Sequence, residues 1–290
     1  MSDVESNHQR VAAVEMTDEI LFRQPECTHL GDCPICSLPM SLTTPYTYDK
    51  KQFHFECCSK SICNGCFVAY FRPKVIDEEQ ICPFCRTQAL YDDDGKTLMW
   101  DGLKKRIEVG DPIAMTRMGS DLIFQRDYEG AFAHLSKAAA LGNIEAHGSI
   151  AEMYLVGFGV EKDEAKSVYH LEQAAIGGHP DSRYLLAALE EENGRMDRAA
   201  KHCLIAAKLG HDDALKKVKE FYVSGFVSKK DFAAALCENQ AAIDATKSDQ
   251  RTKAEEILSP VRRFTLHQLN YWIGEQNSNS NSNEYFTSIF

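Results

Sequence analysis

The residues of this chain best able to do chemistry are its cysteines. There are eleven in 290 residues, and eight of them fall in pairs between positions 33 and 85. The pairs read Cys33-Pro34-Ile35-Cys36, Cys57-Cys58, Cys63-Asn64-Gly65-Cys66 and Cys82-Pro83-Phe84-Cys85, while Cys27, Cys203 and Cys237 stand alone. A CxxC turn is tight enough to place both sulfurs on one ion, and zinc suits four sulfurs in a tetrahedron. Eight clustered thiolates therefore predict two zinc ions in closed sites, with no open position for catalysis by the metal. Redox chemistry of the thioredoxin type would want a single CxxC of low pKa at the start of a helix, not three in a loop-rich stretch. With only about 55 residues this segment buries too little apolar surface to be stable alone, so bound metal stands in for a core.

The elements that hold these cysteines must be short. Gln52-Phe53-His54-Phe55-Glu56 alternates as a strand does, which puts both phenylalanines toward the small core. The order and spacing of the pairs resemble a RING finger, most closely the subclass in which all eight ligands are cysteine. The resemblance implies interleaved sites, with Cys33, Cys36, Cys63 and Cys66 on the first zinc and Cys57, Cys58, Cys82 and Cys85 on the second. Adjacent Cys57-Cys58 departs from the family, which usually leaves at least one residue between its third and fourth ligands. His54 with Cys58 is thus an alternative pair that leaves Cys57 without metal. In RING ubiquitin ligases a shallow groove receives a ubiquitin-conjugating enzyme. By resemblance Ile35, Phe67 or Tyr70, and Pro83 would line that groove, and Arg86, directly after the last ligand, would contact ubiquitin and the conjugating enzyme together. The plain alternative is that Ile35 and Pro83 only shape the metal-binding turns and that Phe67 and Tyr70 fill the core.

A composition of 44% hydrophobic and 26% charged residues is that of a globular chain with room for two domains. A formal charge of −11 argues against binding a phosphate backbone. Within the cysteine-rich segment Lys50, Lys51, Lys60, Arg72, Lys74 and Arg86 nearly balance Asp49, Glu56, Asp77, Glu78 and Glu79, so no nucleic-acid footprint is expected there. The opening residues Met1 to Arg10 lack the apolar core of a secretion signal, and no later run reaches the ~18 consecutive apolar residues of a membrane span. The expectation is an intracellular protein, cytoplasmic or nuclear, without a membrane partner. No Gly-rich phosphate loop, nucleophile elbow or paired-carboxylate motif is present.

The chain divides by composition. Residues 1–24 are polar and expected to be flexible at the start, with an apolar-containing stretch around Val11 to Leu21 that could form a short helix, and residues 27–90 form the finger. Residues 91–110 hold the acidic turn Asp92-Asp93-Asp94-Gly95 and a connecting helix with Leu98, Leu103 and Ile107 on one side. From Asp111-Pro112, an N-cap followed by a first-turn proline, the alphabet turns to Ala, Gly, Leu and Tyr in helical spacing. The pairs Ala138-Ala139, Ala174-Ala175, Ala206-Ala207 and Ala241-Ala242 recur at steps of 36, 32 and 35, and Gly142, Gly178 and Gly210 follow the first three. Small residues at fixed positions let helices approach closely, and Gly after each second helix suits a C-cap. The unit running Tyr154-Leu155-Val156-Gly157-Phe158-Gly159-Val160 to Ala174-Ala175 and Gly178 resembles the Sel-1-like repeat, a relative of the tetratricopeptide solenoids. Residues 111–256 are accordingly expected to be a solenoid of about four helix hairpins. Residues 257–273, with Val261, Phe264, Leu269, Trp272 and Ile273, are expected to form an amphipathic cover, and residues 274–290 a disordered Asn/Ser-rich tail.

The expected fold is a small zinc-stabilised α+β RING finger followed by an all-α solenoid of Sel-1-like hairpins. What the two resemblances imply together is a ubiquitin ligase in which the finger positions a charged ubiquitin-conjugating enzyme while the repeats bind a protein substrate. No residue of the chain would carry ubiquitin covalently. The alternative is a non-catalytic scaffold with a structural zinc finger.

Overall fold

The computed structural model of the chain describes residues 17–42, 51–71, 81–87 and 99–258. Expectations about residues 1–16, Leu98, the Asp92 to Gly95 turn, the segment from Val261 to Ile273 and the C-terminal tail lie outside the described residues. The elements run α1 (Asp18–Leu21), β1 (Gln52–Phe55), β2 (Lys60–Cys63), α2 (Asn64–Phe71) and α3 (Met99–Glu108). Four hairpins come next: α4 (Pro112–Phe124) with α5 (Tyr128–Ala140), α6 (Ile144–Val156) with α7 (Glu164–Ile176), α8 (Pro180–Glu192) with α9 (Met196–Lys208), and α10 (Asp212–Val223) with α11 (Lys229–Ala245). The last described element is α12 (Asp249–Leu258). The described residues within Met1–Gly31 and Leu103–Thr246 form one compact unit, and those within Asp32–Gly102 and Lys247–Phe290 form another.

The hairpins start and stop where local chemistry dictates. The Asp111 carboxylate accepts from the amides of Ile113 and Ala114 at 2.9 and 3.4 Å, with Pro112 in the first turn of α4. Asn143, Asp163 and Ser228 cap α6, α7 and α11 in the same way, and His179 and His211 cap α8 and α10 through a ring nitrogen. Gly142, Gly178 and Gly210 sit at φ of +81°, +85° and +94°, the left-handed conformation that ends a helix without strain only for glycine. The next amides, of Asn143, His179 and His211, reach back to the carbonyls of Ala138, Ala174 and Ala206 at 3.1, 3.0 and 3.2 Å. The three Ala pairs before these glycines are buried between neighbouring helices. The fourth pair is not: Ala241 is exposed and Ala242 half-buried. On α11 the buried residues are Ala235 and Asn239, and Asn239 donates to the Ala207 carbonyl at 2.7 Å. Among the described residues this unit has no further hairpin beyond α11 to cover the fourth pair.

Two expected boundaries are corrected. The segment to residue 24 was expected to be flexible, with a short helix around Val11 to Leu21. Its described part does hold α1, but it is not loose, since Leu21 is buried with Ala151, Leu171, Ala175 and Leu186, and the Arg183 guanidinium donates to the carbonyls of Leu21 and Arg23. A buried apolar anchor and two charge-assisted hydrogen bonds outweigh the polar composition around them. The solenoid was expected to run to residue 256, yet α12 packs on α2 in the other unit, where its Arg251 finds acceptors.

His202, on α9, is fully buried, and both its ring nitrogens lack a hydrogen-bond partner among the described residues. Burial, reinforced by the charges of Arg183 and Arg198, pushes its pKa from 6.5 down to about 3. Between those values the unfolded chain binds a proton at this site and the folded chain does not. Stability must therefore fall as pH drops through this window, by up to about 1.4 kcal/mol per pH unit. Replacing His202 with Phe should remove this component, seen as a shallower dependence of Tm on pH between 6 and 4. Identical slopes would mean that the folded protein protonates His202 after all.

Candidate metal centre

The eight paired cysteines come together as two quartets. The sulfurs of Cys33, Cys36, Cys63 and Cys66 lie within 4.8 Å of one another, and so do those of Cys57, Cys58, Cys82 and Cys85. All eleven cysteines of the chain are free thiols. The interleaving comes from one hairpin. β1 and β2 are antiparallel, with Phe55 opposite Lys60 at the tip and Gln52 opposite Cys63 at the base. Cys57 and Cys58 sit in the connecting turn, whereas Cys63 ends β2 and Cys66 lies in the first turn of α2. Three residue steps of about 3.3 Å separate tip from base by about 10 Å, so the two pairs cannot share an ion.

The first and last CxxC pairs form two copies of one turn. In each, the amide after the second cysteine bonds the carbonyl of the first: Ser37 to Cys33 at 2.8 Å, and Arg86 to Cys82 at 3.0 Å. The first cysteine's own amide bonds onward to Leu38 at 2.9 Å or to Thr87 at 2.8 Å. Ser37 and Arg86 both take the left-handed conformation, at φ of 55° and 59°. Sulfurs approach to 3.8 Å between Cys36 and Cys63, 3.6 Å between Cys58 and Cys82, and 3.3 Å between Cys57 and Cys85. Sulfurs bound tetrahedrally at about 2.3 Å would stand about 3.8 Å apart, so each quartet suits one four-coordinate ion. His54, the alternative ligand, lies outside both quartets, with Nδ1 3.0 Å from the Ser61 hydroxyl across the hairpin. Burial and the neighbouring Cys82 thiol push Cys58 up to about 12, and burial likewise raises Cys57, Cys63 and Cys66. Burial also opposes ionisation of Cys36, but the Leu38 amide and the Arg251 guanidinium outweigh it and bring that thiol to about 7. Packed this closely, the quartets would need a central cation before all four thiols could ionise.

Of the residues expected in a partner groove, Ile35 is 47% exposed and Pro83 half-buried. Tyr70 is half-buried, its hydroxyl donating to the Ile81 carbonyl at 3.1 Å. Arg86 is exposed. Phe67 is corrected: it is fully buried and stacks on Phe53 with ring centroids 3.7 Å apart. Phe67 and Phe71 are four residues apart on α2 and so share the face that meets Phe53 and Phe55 of β1.

Sequence reasoning missed Arg251. It is 4% exposed, and its guanidinium donates to the Pro39 carbonyl at 2.7 Å, the Leu38 carbonyl at 3.2 Å and the Cys36 sulfur at 3.5 Å. A cation from α12 thus holds the loop after the first CxxC and faces one of its sulfurs. Gln250 adds a bond to the Gly65 carbonyl at 3.1 Å. Gly65 must be small, because a Cβ there would stand 3.0 Å from the Arg251 backbone nitrogen. No spacing rule links residue 251 to residue 36; the nearest signal was a glycine inside a buried CxxC.

The first unit contains a third cluster of ligand-type side chains, His29, Glu145 and His179. Its hydrogen bonds make it a clasp. The Ser182 amide donates to His179 Nδ1 at 3.1 Å to cap α8, which leaves the ring proton on Nε2, facing Glu145 Oε2 at 3.5 Å. A nitrogen that carries its proton has no lone pair for a metal. His29 Nε2 lies 2.8 Å from the same oxygen.

Comparison with known proteins identifies the repeat. The Sel1 repeat family model matches residues 112–143 and 144–179, the first two hairpins. These hairpins are Sel1 repeats. A curated relative, chitin synthase regulatory factor 4 of Schizosaccharomyces pombe, is 31% identical over 86 residues. That match covers 29% of this chain and 14% of the relative, so the chain spans only a small part of its length. A Sel1 repeat protein from Oxalobacter formigenes is similar with a TM-score of 0.43 and 26% identity, over 55% of this chain and 49% of that one. A protective antigen of uropathogenic Escherichia coli with an SLR fold gives a TM-score of 0.44 and 16% identity, over 63% and 43% of the two chains. No helix among the described residues is long and apolar enough to cross a membrane.

Gly65→Ala should destabilise the cysteine-rich unit by about 1 to 3 kcal/mol, because the added methyl meets the main chain of Gln250 and Arg251 as well as the Arg251 Cγ. The cost should vanish in a chain that ends at residue 246, which no longer carries α12. A Gly65→Ala penalty of equal size with and without α12, read from chemical denaturation, would show that the helix does not lean on this glycine.

Proposed function

We propose that the cysteine-rich segment from Cys33 to Cys85 is a RING-type finger holding two zinc ions, and that the protein is a ubiquitin ligase whose Sel1 repeats bind a protein substrate. The observation that carries the reading is the interleaving: four sequence pairs combine first with third and second with fourth, each giving four sulfurs within 4.8 Å of one another. Zinc would neutralise the crowded thiolates and hold the finger closed, with Cys57 rather than His54 in the second quartet. Ile35 and Arg86 stand next to ligands, leave their side chains in water and take no part in either quartet. That placement supports the assignment of Ile35 to a conjugating-enzyme contact, with Pro83 and Tyr70 beside it in the groove, and of Arg86 to ubiquitin. Catalysis would come from orientation of the charged conjugating enzyme and from hydrogen bonding to its thioester, with no covalent intermediate on this chain.

The second reading is a protein-interaction scaffold whose zinc finger is purely structural. It is favoured by the Sel1 match and by a relative named as a regulatory factor of another enzyme, chitin synthase.

Native mass spectrometry should find two zinc ions per chain, and one or none would end the two-site proposal. Ile35→Ala and Arg86→Ala should both keep the two ions. Ile35→Ala should weaken binding of the conjugating enzyme by about 1 to 2 kcal/mol. Arg86→Ala should spare that binding but slow discharge of ubiquitin to free lysine, since its contacts need ubiquitin present. Discharge that is unstimulated across a broad panel of conjugating enzymes would leave the scaffold as the function.

A further inference from the structure

Residues 17–31 lie on the Sel1 repeats in the manner of a bound peptide. Of Thr17 to Leu30 only Leu21 is buried; Asp18, Glu19, Ile20, Arg23, Gln24, Glu26 and Cys27 are exposed. Leu21 enters the apolar cluster of Ala151, Leu171, Ala175 and Leu186. Phe22 rests on the His202 ring at 4.7 Å between centroids, with Arg198 and Lys201 at 5.0 and 5.2 Å from its own. Arg198 also pairs with Asp18. Further along, the Cys27 carbonyl passes so close to Gly178 that a Cβ there would stand 2.7 Å away. The one backbone hydrogen bond from this segment to the repeats, among the described residues, is His29 N–H to the Gly178 carbonyl at 3.1 Å.

Arg183 separates a docked ligand from a fixed part of the core. Its side chain is fully buried, its hydrogen-bond acceptors are the main-chain carbonyls of Leu21 and Arg23, and its Nε has no partner among the described residues. A buried arginine without a carboxylate is costly, and an apolar residue in its place would generally make a more stable core. A planar fork of donors aimed at a peptide's carbonyls is instead what a recognition surface keeps. The four-residue α1 is also too short to persist without the surface beneath it.

We infer that residues 17–31 stand in for a partner, and that the surface they cover is a docking groove for a protein segment presenting an acidic residue followed three and four positions later by Leu and an aromatic. The acidic group meets Arg198, the Leu fills the apolar cluster, the aromatic lies between His202 and the Arg198 and Lys201 cations, and Arg183 reads the backbone. The inference rests on the reading of the repeats as a protein-binding surface and names the partner that this surface would take. The cis segment competes at the effective concentration of a tether, in the millimolar range for short flexible linkages, so a partner engages fully only when the segment lifts off.

The test uses the full chain. A fluorescein-labelled peptide of residues 17–31, with Cys27→Ser to silence its thiol, is titrated against wild type and against a chain carrying Leu21→Ser and Phe22→Ser. The opened chain should bind at least about tenfold more tightly than wild type, and Arg183→Ala in the opened chain should abolish the gain. Equal affinities, or no binding by an opened chain whose helical signal and melting are retained, would overturn the inference. Neither outcome touches protein binding by other faces of the repeats, which crosslinking of wild type to its partners reads separately. Should the opened chain unfold, hydrogen exchange on wild type decides. Amides of Ile20 to Arg23 should exchange much faster than those inside α8, through local opening. Exchange of both sets only with global unfolding would make the segment part of the core.

Discussion

Two buried guanidiniums decide what each unit of this protein contains. Arginine cannot shed its charge, so once buried it must be supplied with acceptors, and in both units these are main-chain carbonyls distant in sequence. Arg183 reaches Leu21 and Arg23, and Arg251 reaches Leu38 and Pro39. Chain segments from opposite ends of the sequence are thereby drawn into each unit, and neither unit is one continuous stretch.

The two units meet the problem of stability differently. Each hairpin of the solenoid buries its helices against the next through alanines that let backbones approach, so stability accumulates by neighbours along the array. The cysteine-rich unit has a two-stranded sheet, one eight-residue helix and a small aromatic core of Phe53, Phe55, Phe67 and Phe71. Such a core is too small to hold the loops on either side of it. The two sulfur quartets sit where it ends, and α12 adds a second cover through Arg251 and Gln250. On the zinc-finger reading, metal and helix act on the same loop, since Cys36 belongs to a quartet and also accepts from Arg251.

Surface chemistry around the sulfur quartets is divided by side-chain direction. Ile35 and Pro83 lie inside CxxC turns, where the cysteines must face inward and the residues between them are pushed outward. Arg86 shares the left-handed backbone of Ser37, which shows that the conformation at that position belongs to the turn and that only the side chain differs. Phe67 and Tyr70 are three apart on one helix but have different surroundings, one stacked in the core and the other bonded to the Ile81 carbonyl.

Legibility in the sequence tracked the range of the interaction. The CxxC turns, the strand at Gln52, the helix caps and the three glycine stops are decided within about four residues, and their residue types and spacing are sufficient to read them. The Sel1 periodicity was equally plain, because each hairpin makes the same neighbour contacts. The features that only the tertiary structure decided have no local signature. Which cysteine pairs share a quartet depends on the length of the hairpin between them; the resemblance to a known family implied the grouping, and the chain's own spacing did not. That Ala241-Ala242 goes uncovered depends on its neighbours in space. That Leu21 is an anchor in a polar segment, and that Arg251 belongs with Cys36, depends on a charge buried far away in sequence whose acceptors could be any main-chain carbonyl. A carbonyl is the same in every residue, so sequence composition cannot mark which one a buried arginine will choose.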